Sequence, residues 1–168
     1  ELSHEIDYLQ WVFGKVAWVR AWTGREGFGL QVEDTAHLLL GFEQATGAGK
    51  ASALVATLSL DFVRRDRVRA CTAIGEKGTL VADFVRSELK LRADGEEEDV
   101  LFLDAVTDPD ATYLAQLESF VSALAHGGEP PVTAEEGLDV LEIIEAAERS
   151  QLSSGATEMV KKGNRSGL

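Results

Sequence analysis

Cysteine and basic residues are scarce in this sequence of 168 residues. The single cysteine, Cys71, excludes an intramolecular disulfide and any cysteine-rich metal site, which favours a reducing, cytoplasmic location. Lysine and arginine number 16 against 29 acidic residues, for a net charge of −13. This charge would repel nucleic acid and anionic membranes, so neither is an expected partner. The longest apolar run, residues 53–60, is too short to cross a bilayer, which takes about 18 apolar residues.

The residues that are present predict a folded domain that begins with a helix and continues with strands. Hydrophobic residues make up 45 % of the chain and charged residues 27 %, a composition typical of globular domains. Residues 4–13 have helical periodicity, and Gly14 is a typical helix stop. About seven short apolar or alternating segments follow between residues 16 and 103. Their connections are too short for parallel crossovers, so the strands are expected to be antiparallel.

Two further helices are predicted after the strands. Residues 110–125 and 134–150 have apolar side chains at helical spacing, and Thr133 with Glu136 forms a capping-box pattern. The order helix, strands, helices predicts the α+β class, with one open, mostly antiparallel sheet and helices on one face. We expect this domain over residues 1–152, followed by a polar, flexible tail over residues 153–168.

Three polar residues at the start of the first helix are candidates for proton-transfer chemistry. His4 and Asp7 lie three residues apart on one helix face, and Glu1 lies about one turn before His4. A neutral imidazole can accept a proton near pH 7, and carboxylates can orient or tune it. The same residues suit an ordinary helix start, where acidic groups interact favourably with the helix dipole. Spacing alone leaves both interpretations open, because the pattern is common by chance.

Other motifs give weaker indications. Residues 47–50 resemble a phosphate-binding loop but lack its first glycine and its magnesium-binding hydroxyl, so a hairpin turn is expected there. The sequence contains no G-x-G-x-x-G, and a complete dinucleotide-binding unit is therefore absent. The sequence has one basic cluster, formed by Arg64, Arg65, Arg67 and Arg69. These arginines could form ion pairs across strands or bind an anionic substrate group.

The remaining candidates are interpreted as structural. His37 and His126 have no partners at metal-ligand spacing, and Cys71 is expected to be buried and inert. The tryptophans are expected in the core or in an interface; they are Trp11, Trp18 and Trp22. The sequence therefore predicts no metal site.

Four motifs, in the same order, resemble those of the glucose-fructose oxidoreductase / inositol dehydrogenase (Gfo/Idh/MocA) family. In the first, residues 1–14, an acidic residue precedes a His, which is followed by Ile-Asp, an apolar helix and Gly. The others are Ile-Gly-Glu-Lys-Gly-Thr-Leu at 74–80, Tyr-Leu-Ala-Gln-Leu-Glu-Ser-Phe at 113–120, and Pro-Pro-Val-Thr at 130–133 with Glu-Gly-Leu at 136–138. The resemblance extends to about Gly155, nearly the whole chain.

This resemblance implies the family's C-terminal domain, an α+β domain of the dihydrodipicolinate-reductase-like type. Such a domain forms a wall of the substrate pocket and the subunit interface. The resemblance implies that His4 is the catalytic histidine and that Asp7 and Glu1 bind substrate. Many family members have an Asp four residues before the histidine, whereas Glu1 lies three before it.

The implied partners are the family's N-terminal Rossmann domain, missing here, a small sugar, nucleotide sugar or cyclitol, and further copies of the chain. A homodimer or higher oligomer would form through the sheet. The parent protein would be an NAD- or NADP-dependent dehydrogenase, whereas this chain would bind no cofactor. Without a bound hydride acceptor the chain alone is expected to be inactive.

A second interpretation competes with this one. The chain could be a non-catalytic dimerising scaffold or a sugar-binding module with a degenerate site. The polar character of Glu1, His4 and Asp7 weighs against degeneration. Because the sequence starts inside the first motif, we expect a truncated chain, a proteolytic product or a split gene.

Overall fold

The computed structural model divides the chain into two units, which are described here for residues 2–25, 29, 31–43, 54–104 and 109–163. Unit 1 comprises residues 1–63 and 132–168, and unit 2 comprises residues 64–131. In chain order, the elements are α1 (Leu2–Phe13), β1 (Val16–Gly24), β2 (Thr35–Phe42), β3 (Val55–Asp61), β4 (Ala70–Gly75), β5 (Gly78–Asp83), β6 (Glu88–Ala93), β7 (Asp99–Leu103), α2 (Pro109–His126), α3 (Ala134–Leu152) and β8 (Glu158–Met159).

Unit 1 is a four-stranded antiparallel sheet with helices on one face. The strand order is β3-β2-β1-β8, α3 packs on β1, and α1 packs on α3. Side chains alternate between the two faces, so Val19 and Leu40, which are paired neighbours, are both fully buried. The core on the α3 side includes Ile6, Leu9, Val19, Ala21, Leu38, Leu40, Leu58, Val140, Ile143, Ala146 and Ala147.

On the outer edge of β1, the edge away from β2, the backbone groups have two different kinds of hydrogen-bond partner. The short strand β8 pairs only with Trp18 and Val19. Further along, the Ser150 hydroxyl accepts a hydrogen bond from the Ala21 amide at 2.9 Å. The Gln151 amide group bonds the N–H and C=O of Thr23 at 2.9 and 3.2 Å. Side chains at the end of α3 thus replace a neighbouring strand, which satisfies backbone groups that burial would otherwise leave unpaired.

Unit 2 is an antiparallel meander with the strand order β4-β5-β6-β7, together with α2. Gly75 pairs with Gly78 where β4 turns into β5. A side chain at Gly78 would meet the Arg92 carbonyl oxygen. The apolar side chains of α2, including Leu114, Leu117, Phe120 and Leu124, are exposed in the structure.

The predicted α+β class with antiparallel strands is confirmed, and two details differ. The strands form two sheets rather than one, because β3 and β4 are not hydrogen-bonded neighbours. Residues 158–159, within the predicted tail, pair with β1. The hairpin turn expected at residues 47–50 lies outside the described residues. No helix within the described part of the chain is both long and apolar enough to span a membrane.

The predicted capping box at the start of α3 is confirmed. The Thr133 hydroxyl accepts from the Glu136 amide at 3.2 Å, and the Glu136 carboxylate accepts from the Thr133 amide at 2.7 Å. The backbone hydrogen bond from Thr133 lowers the pKa of the Glu136 carboxyl below its ordinary value of 4.5. These hydrogen bonds fix the residue at which helix α3 begins, and therefore which of its apolar side chains face β1.

Replacing Ser150 by Ala should destabilise unit 1. The Ser150 hydroxyl is fully buried, and its loss leaves the Ala21 amide and the Ala156 carbonyl without their partner. We expect the free energy of unfolding to fall by about 1–3 kcal/mol. Urea unfolding followed by tryptophan fluorescence measures this change in unit 1, since all three tryptophans lie there.

Ser153→Ala is the matched control for that experiment. Ser153 lies three residues further along, is exposed, and its side chain makes no hydrogen bond to any residue that the structure describes. Its effect should stay within about 0.5 kcal/mol. Equal effects of the two substitutions would contradict the structural role of Ser150.

Candidate functional site

The exposed face of α1 carries the residues for which the sequence predicts function. The buried face of α1 is formed by Ile6 and Leu9, which the contact with α3 covers. His4 is exposed and Asp7 is half-buried. Helical spacing places Trp11, which is 84 % exposed, on the same side as these two residues. A proton acceptor, a carboxylate and an aromatic ring therefore share one accessible surface.

His4 and Asp7 have no polar partner among the residues that the structure describes. Within the described residues, neither His4 nor Asp7 makes a hydrogen bond or an ion pair. Glu5 lies between them in the sequence, is only 6 % exposed and has an interaction within the fold. Of the acidic residues at the start of α1, Glu5 is therefore structural, whereas Asp7 remains available for a ligand. Glu1, the third predicted site residue, lies outside the described residues.

The spacing on α1 limits what the site can contact. Residues three apart on a helix have their Cβ atoms about 5–6 Å from each other, so His4 and Asp7 can reach adjacent hydroxyl groups of one small molecule. Trp11 lies seven residues beyond His4, about 10 Å along the helix axis. An imidazole and a carboxylate in this arrangement can accept a proton and a hydrogen bond from a polyol.

Three of the four arginines of the basic cluster have contacts within the structure. Arg64 forms an ion pair with Asp66 at 2.9 Å, and this hydrogen bond lowers the pKa of the Asp66 carboxyl. Arg69 lies over the Phe84 ring, 5.2 Å from its centroid, and Arg65 also has an interaction within the structure. These contacts favour the structural interpretation over an anion site.

Cys71 and His126 have ordinary surroundings in the structure. Cys71 is half-buried rather than buried. No group of three or more potential metal-ligating side chains occurs within the described residues. His126 has its Nδ1 at 2.8 Å from the Ser122 carbonyl oxygen of its own helix, as an ordinary surface residue would.

A second cluster, which the sequence did not indicate, lies on the sheet of unit 1. We define the open face as the side of this sheet opposite the buried core. Trp22 and His37 are directly paired neighbours on β1 and β2, and their rings stack with centroids 5.8 Å apart. Nδ1 of His37 lies 3.0 Å from Oγ of Ser59 on β3. The open face comprises Trp18, Arg20, Trp22, Thr35, His37, Leu39, Gly41, Val55, Thr57, Ser59 and Asp61.

The open face is shallow. A groove of about 410 Å³ crosses it, lined by Arg20, Trp22, His37, Leu39 and Thr57 among others. The Trp18 indole lies against Gly41, where any side chain would overlap the ring. The alternation of side chains along β1 and β2 is visible in the sequence. The pairing of Trp22 with His37 depends on the register between these two strands, which alternation alone does not determine.

Comparison with known proteins identifies the fold. The family model of the Gfo/Idh/MocA oxidoreductases, described as "Oxidoreductase family, C-terminal alpha/beta domain", matches residues 1–159. No curated protein shows significant sequence similarity to the chain.

Solved structures with the same fold include several dehydrogenases. An oxidoreductase from Agrobacterium radiobacter, in complex with NAD+, L-tartaric acid and magnesium, is 20 % identical, with a TM-score of 0.73 over 94 % of this chain and 47 % of that one. The WlbA dehydrogenase from Bordetella pertussis, with NADH and UDP-GlcNAcA, is 21 % identical, with a TM-score of 0.68 over 96 % and 44 %. Levoglucosan dehydrogenase, with NADH and levoglucosan, is 17 % identical, with a TM-score of 0.77 over 96 % and 49 %.

These structural matches establish the fold alone, because identities near 20 % do not carry activity or substrate from one protein to another. The chain spans about half the length of the solved structures that it matches.

Substitutions on the exposed face of α1 should barely change stability. Because neither His4 nor Asp7 makes a hydrogen bond or an ion pair among the described residues, His4→Ala and Asp7→Ala should each change the free energy of unfolding by less than about 0.5 kcal/mol. Ile6→Ala on the buried face of the same helix should cost about 2–5 kcal/mol, because Ile6 is fully buried. Urea unfolding followed by tryptophan fluorescence compares the three variants. A large loss for His4→Ala would show that His4 has a structural role.

Proposed function

The chain belongs to the Gfo/Idh/MocA oxidoreductase family as its C-terminal α/β domain, and from this premise we propose that it provides the substrate-binding side of an NAD(P)-dependent dehydrogenase. The observation that carries the proposal is the exposed face of α1. His4 and Asp7 lie there at helical spacing, and the fold makes no use of either within the described residues. Polar groups that stabilise nothing internally are available for a ligand.

In the proposed reaction, the chain handles the proton. Oxidation of an alcohol carbon requires removal of the hydroxyl proton, and a neutral imidazole is suited to accept it near pH 7. We assign this step to a ring nitrogen of His4. The Asp7 carboxylate accepts a hydrogen bond from a neighbouring hydroxyl group and so orients the substrate. Glu1 is proposed as a further substrate-binding residue.

The chain itself does not fit a dinucleotide. Nucleotide-binding α/β units hold the pyrophosphate at a glycine-rich turn between a parallel strand and a helix. Every strand pair of the described residues is antiparallel, and the sequence has no G-x-G-x-x-G. We therefore propose that a separate Rossmann domain binds NAD or NADP. Trp11, 84 % exposed beside the site, fits a surface that such a domain would cover.

We propose a sugar, nucleotide sugar or cyclitol as substrate. The solved structures with this fold include complexes with UDP-GlcNAcA, levoglucosan and L-tartaric acid, all of which contain secondary alcohol groups. A histidine and a carboxylate three residues apart suit such a compound, because adjacent hydroxyls can contact both side chains. The site contains no arrangement of cations that would favour a strongly anionic reacting centre among the described residues.

Turnover by the two-domain protein tests this function. With the Rossmann domain attached to this chain, His4→Asn should lower kcat for sugar oxidation about 10²–10⁴-fold, because it removes the proton acceptor. NAD(P)H formation at 340 nm measures the rate, in a screen of nucleotide sugars, free sugars and cyclitols. The 168-residue chain alone should show no turnover.

His126→Asn is the matched control for His4→Asn, because His126 is exposed on α2 and bonds only within its own helix. Unchanged turnover in His4→Asn would contradict the proton-transfer role. Sugar binding without turnover in the two-domain protein would favour the alternative of a sugar-binding module or scaffold with a degenerate site.

We also propose that the chain forms a homodimer, or a higher oligomer built on it, through the open face. One face of the sheet is covered by α3, whereas the other exposes Trp22 at 47 % and Val55 at 45 %. A second copy would remove these apolar groups from water, which is the main driving force for association.

Light scattering at tens of micromolar protein and pH 7.5 should therefore give twice the chain mass of 18.1 kDa. Trp22→Glu should shift the mass towards the monomer, because it places a charge in an apolar interface. Tyr113→Glu, on exposed α2, is the control and should leave the mass unchanged. A monomeric wild-type chain under these conditions would contradict the proposal.

A further inference from the structure

The central row of the open face is where a charge would most disturb an interface. It runs across the strands as Trp22, His37 and Ser59, with the row of Arg20, Leu39 and Thr57 beside it. An imidazole is the only side chain whose ordinary titration lies between about pH 5 and 8. The row contains one imidazole, that of His37.

The charged groups near His37 are few. Arg20 on β1 and Asp61 on β3 lie on the same face, and Arg20 donates from Nε to the Gly155 carbonyl at 2.8 Å. Asp61 also has an interaction within the fold. Glu158 on β8 is paired with Arg149 at 3.4 Å. With a neutral imidazole, the face carries one positive and one negative charge, so it has no net charge.

The absence of net charge favours a second copy as the occupant of this face. The chain has a net charge of −13, so most approaches of one copy to another are repulsive. Two open faces can meet without that repulsion, and the stacked rings of Trp22 and His37 present an apolar surface to each other. Protonation of His37 in both copies would add two like charges where the faces meet.

The size of the face makes the association sensitive to such a charge. Three strands, β1 to β3, spaced about 4.8 Å apart and each about eight residues of 3.3 Å, cover a flat area of roughly 380 Å². A standard stable interface buries about 800 Å² per partner. The open face supplies about half of that area, so a single unfavourable charge is large relative to the total.

We infer that the association of two copies through the open face depends on pH, and that His37 is the residue that makes it so. The inference rests on the proposed homodimer. Neutral His37 permits association, because its stacked ring is buried without desolvating a charge. Protonated His37 opposes it, because an imidazolium must then lose water and face its counterpart. Association is therefore strong above the range where imidazoles titrate and weak below it.

Sedimentation velocity at pH 7.5 and 5.5, at constant ionic strength, tests this inference. The dimer dissociation constant of the wild-type chain should rise at least tenfold at the lower pH. His37→Gln keeps a polar group of similar size without the titration, so its dissociation constant should change less than threefold. His126→Gln should behave like the wild type, because His126 lies on α2 outside the open face.

The outcomes distinguish this inference from the dimer itself. A wild-type dimer with the same dissociation constant at both pH values overturns the role of His37 and leaves the dimer standing. Equal pH dependence in wild type and His37→Gln also overturns it. A monomer at both pH values and all concentrations overturns the dimer and the inference together.

A second measurement needs no substitution. Because the dimer favours neutral His37 and is weakened at acid pH, it is less populated there at low protein concentration. The pH at which the imidazole NMR signals of His37 shift should therefore be lower at about 500 µM protein than at about 20 µM. The His126 signals should shift at the same pH at both concentrations. A concentration-independent His37 titration in a sample shown to dimerise would overturn the inference.

Discussion

The hydrogen bonding of strand β1 is the constraint on which the rest of unit 1 depends. On its inner edge β1 pairs with β2 along its length. On its outer edge, β8 supplies partners for only two residues, and Ser150 and Gln151 of α3 complete the set. Because the end of α3 bonds directly to β1, the helix cannot slide along the sheet without breaking buried hydrogen bonds.

This constraint also positions the candidate site. Helix α1 packs on α3, and only Gly14 and Lys15 separate α1 from β1. Gly14 has φ +93°, a conformation that other residues rarely adopt, so the chain reverses within two residues. Lys15 forms an ion pair with Asp139 of α3 at 3.6 Å. Since α1 is held at its end and along its buried face, its other face, with His4, is presented in one orientation.

Local signals in the sequence are sufficient to predict the helices and strands, but they do not predict which strands pair with each other. Gly14 as a helix stop, the glycine turn between β4 and β5 and the capping box of Thr133 each act through neighbours in the chain, and the structure contains all three. The separation into two sheets depends instead on which strands meet. So does the pairing of residues 158–159 with β1, which joins residues about 140 apart in the sequence. Composition and periodicity carry no information about such contacts.

The candidate functional residues likewise divide into those that local spacing predicts and those that depend on strand pairing. His4 and Asp7 could be selected from the sequence, because helical spacing alone places them on one face. The cluster of Trp22, His37 and Ser59 could not, because its members come from three strands and meet only through two registers. His37 was accordingly interpreted as an ordinary residue, although its ring stacks on Trp22 in the middle of the open face.

The layering of unit 1 places His4 and His37 on different surfaces. Helix α1 packs on α3, α3 packs on the core side of the sheet, and the open face is on the opposite side. A ligand at His4 and a second copy at His37 would therefore approach from different directions and need not exclude each other. Protonation of the two imidazoles would act on different processes, proton transfer at His4 and association at His37.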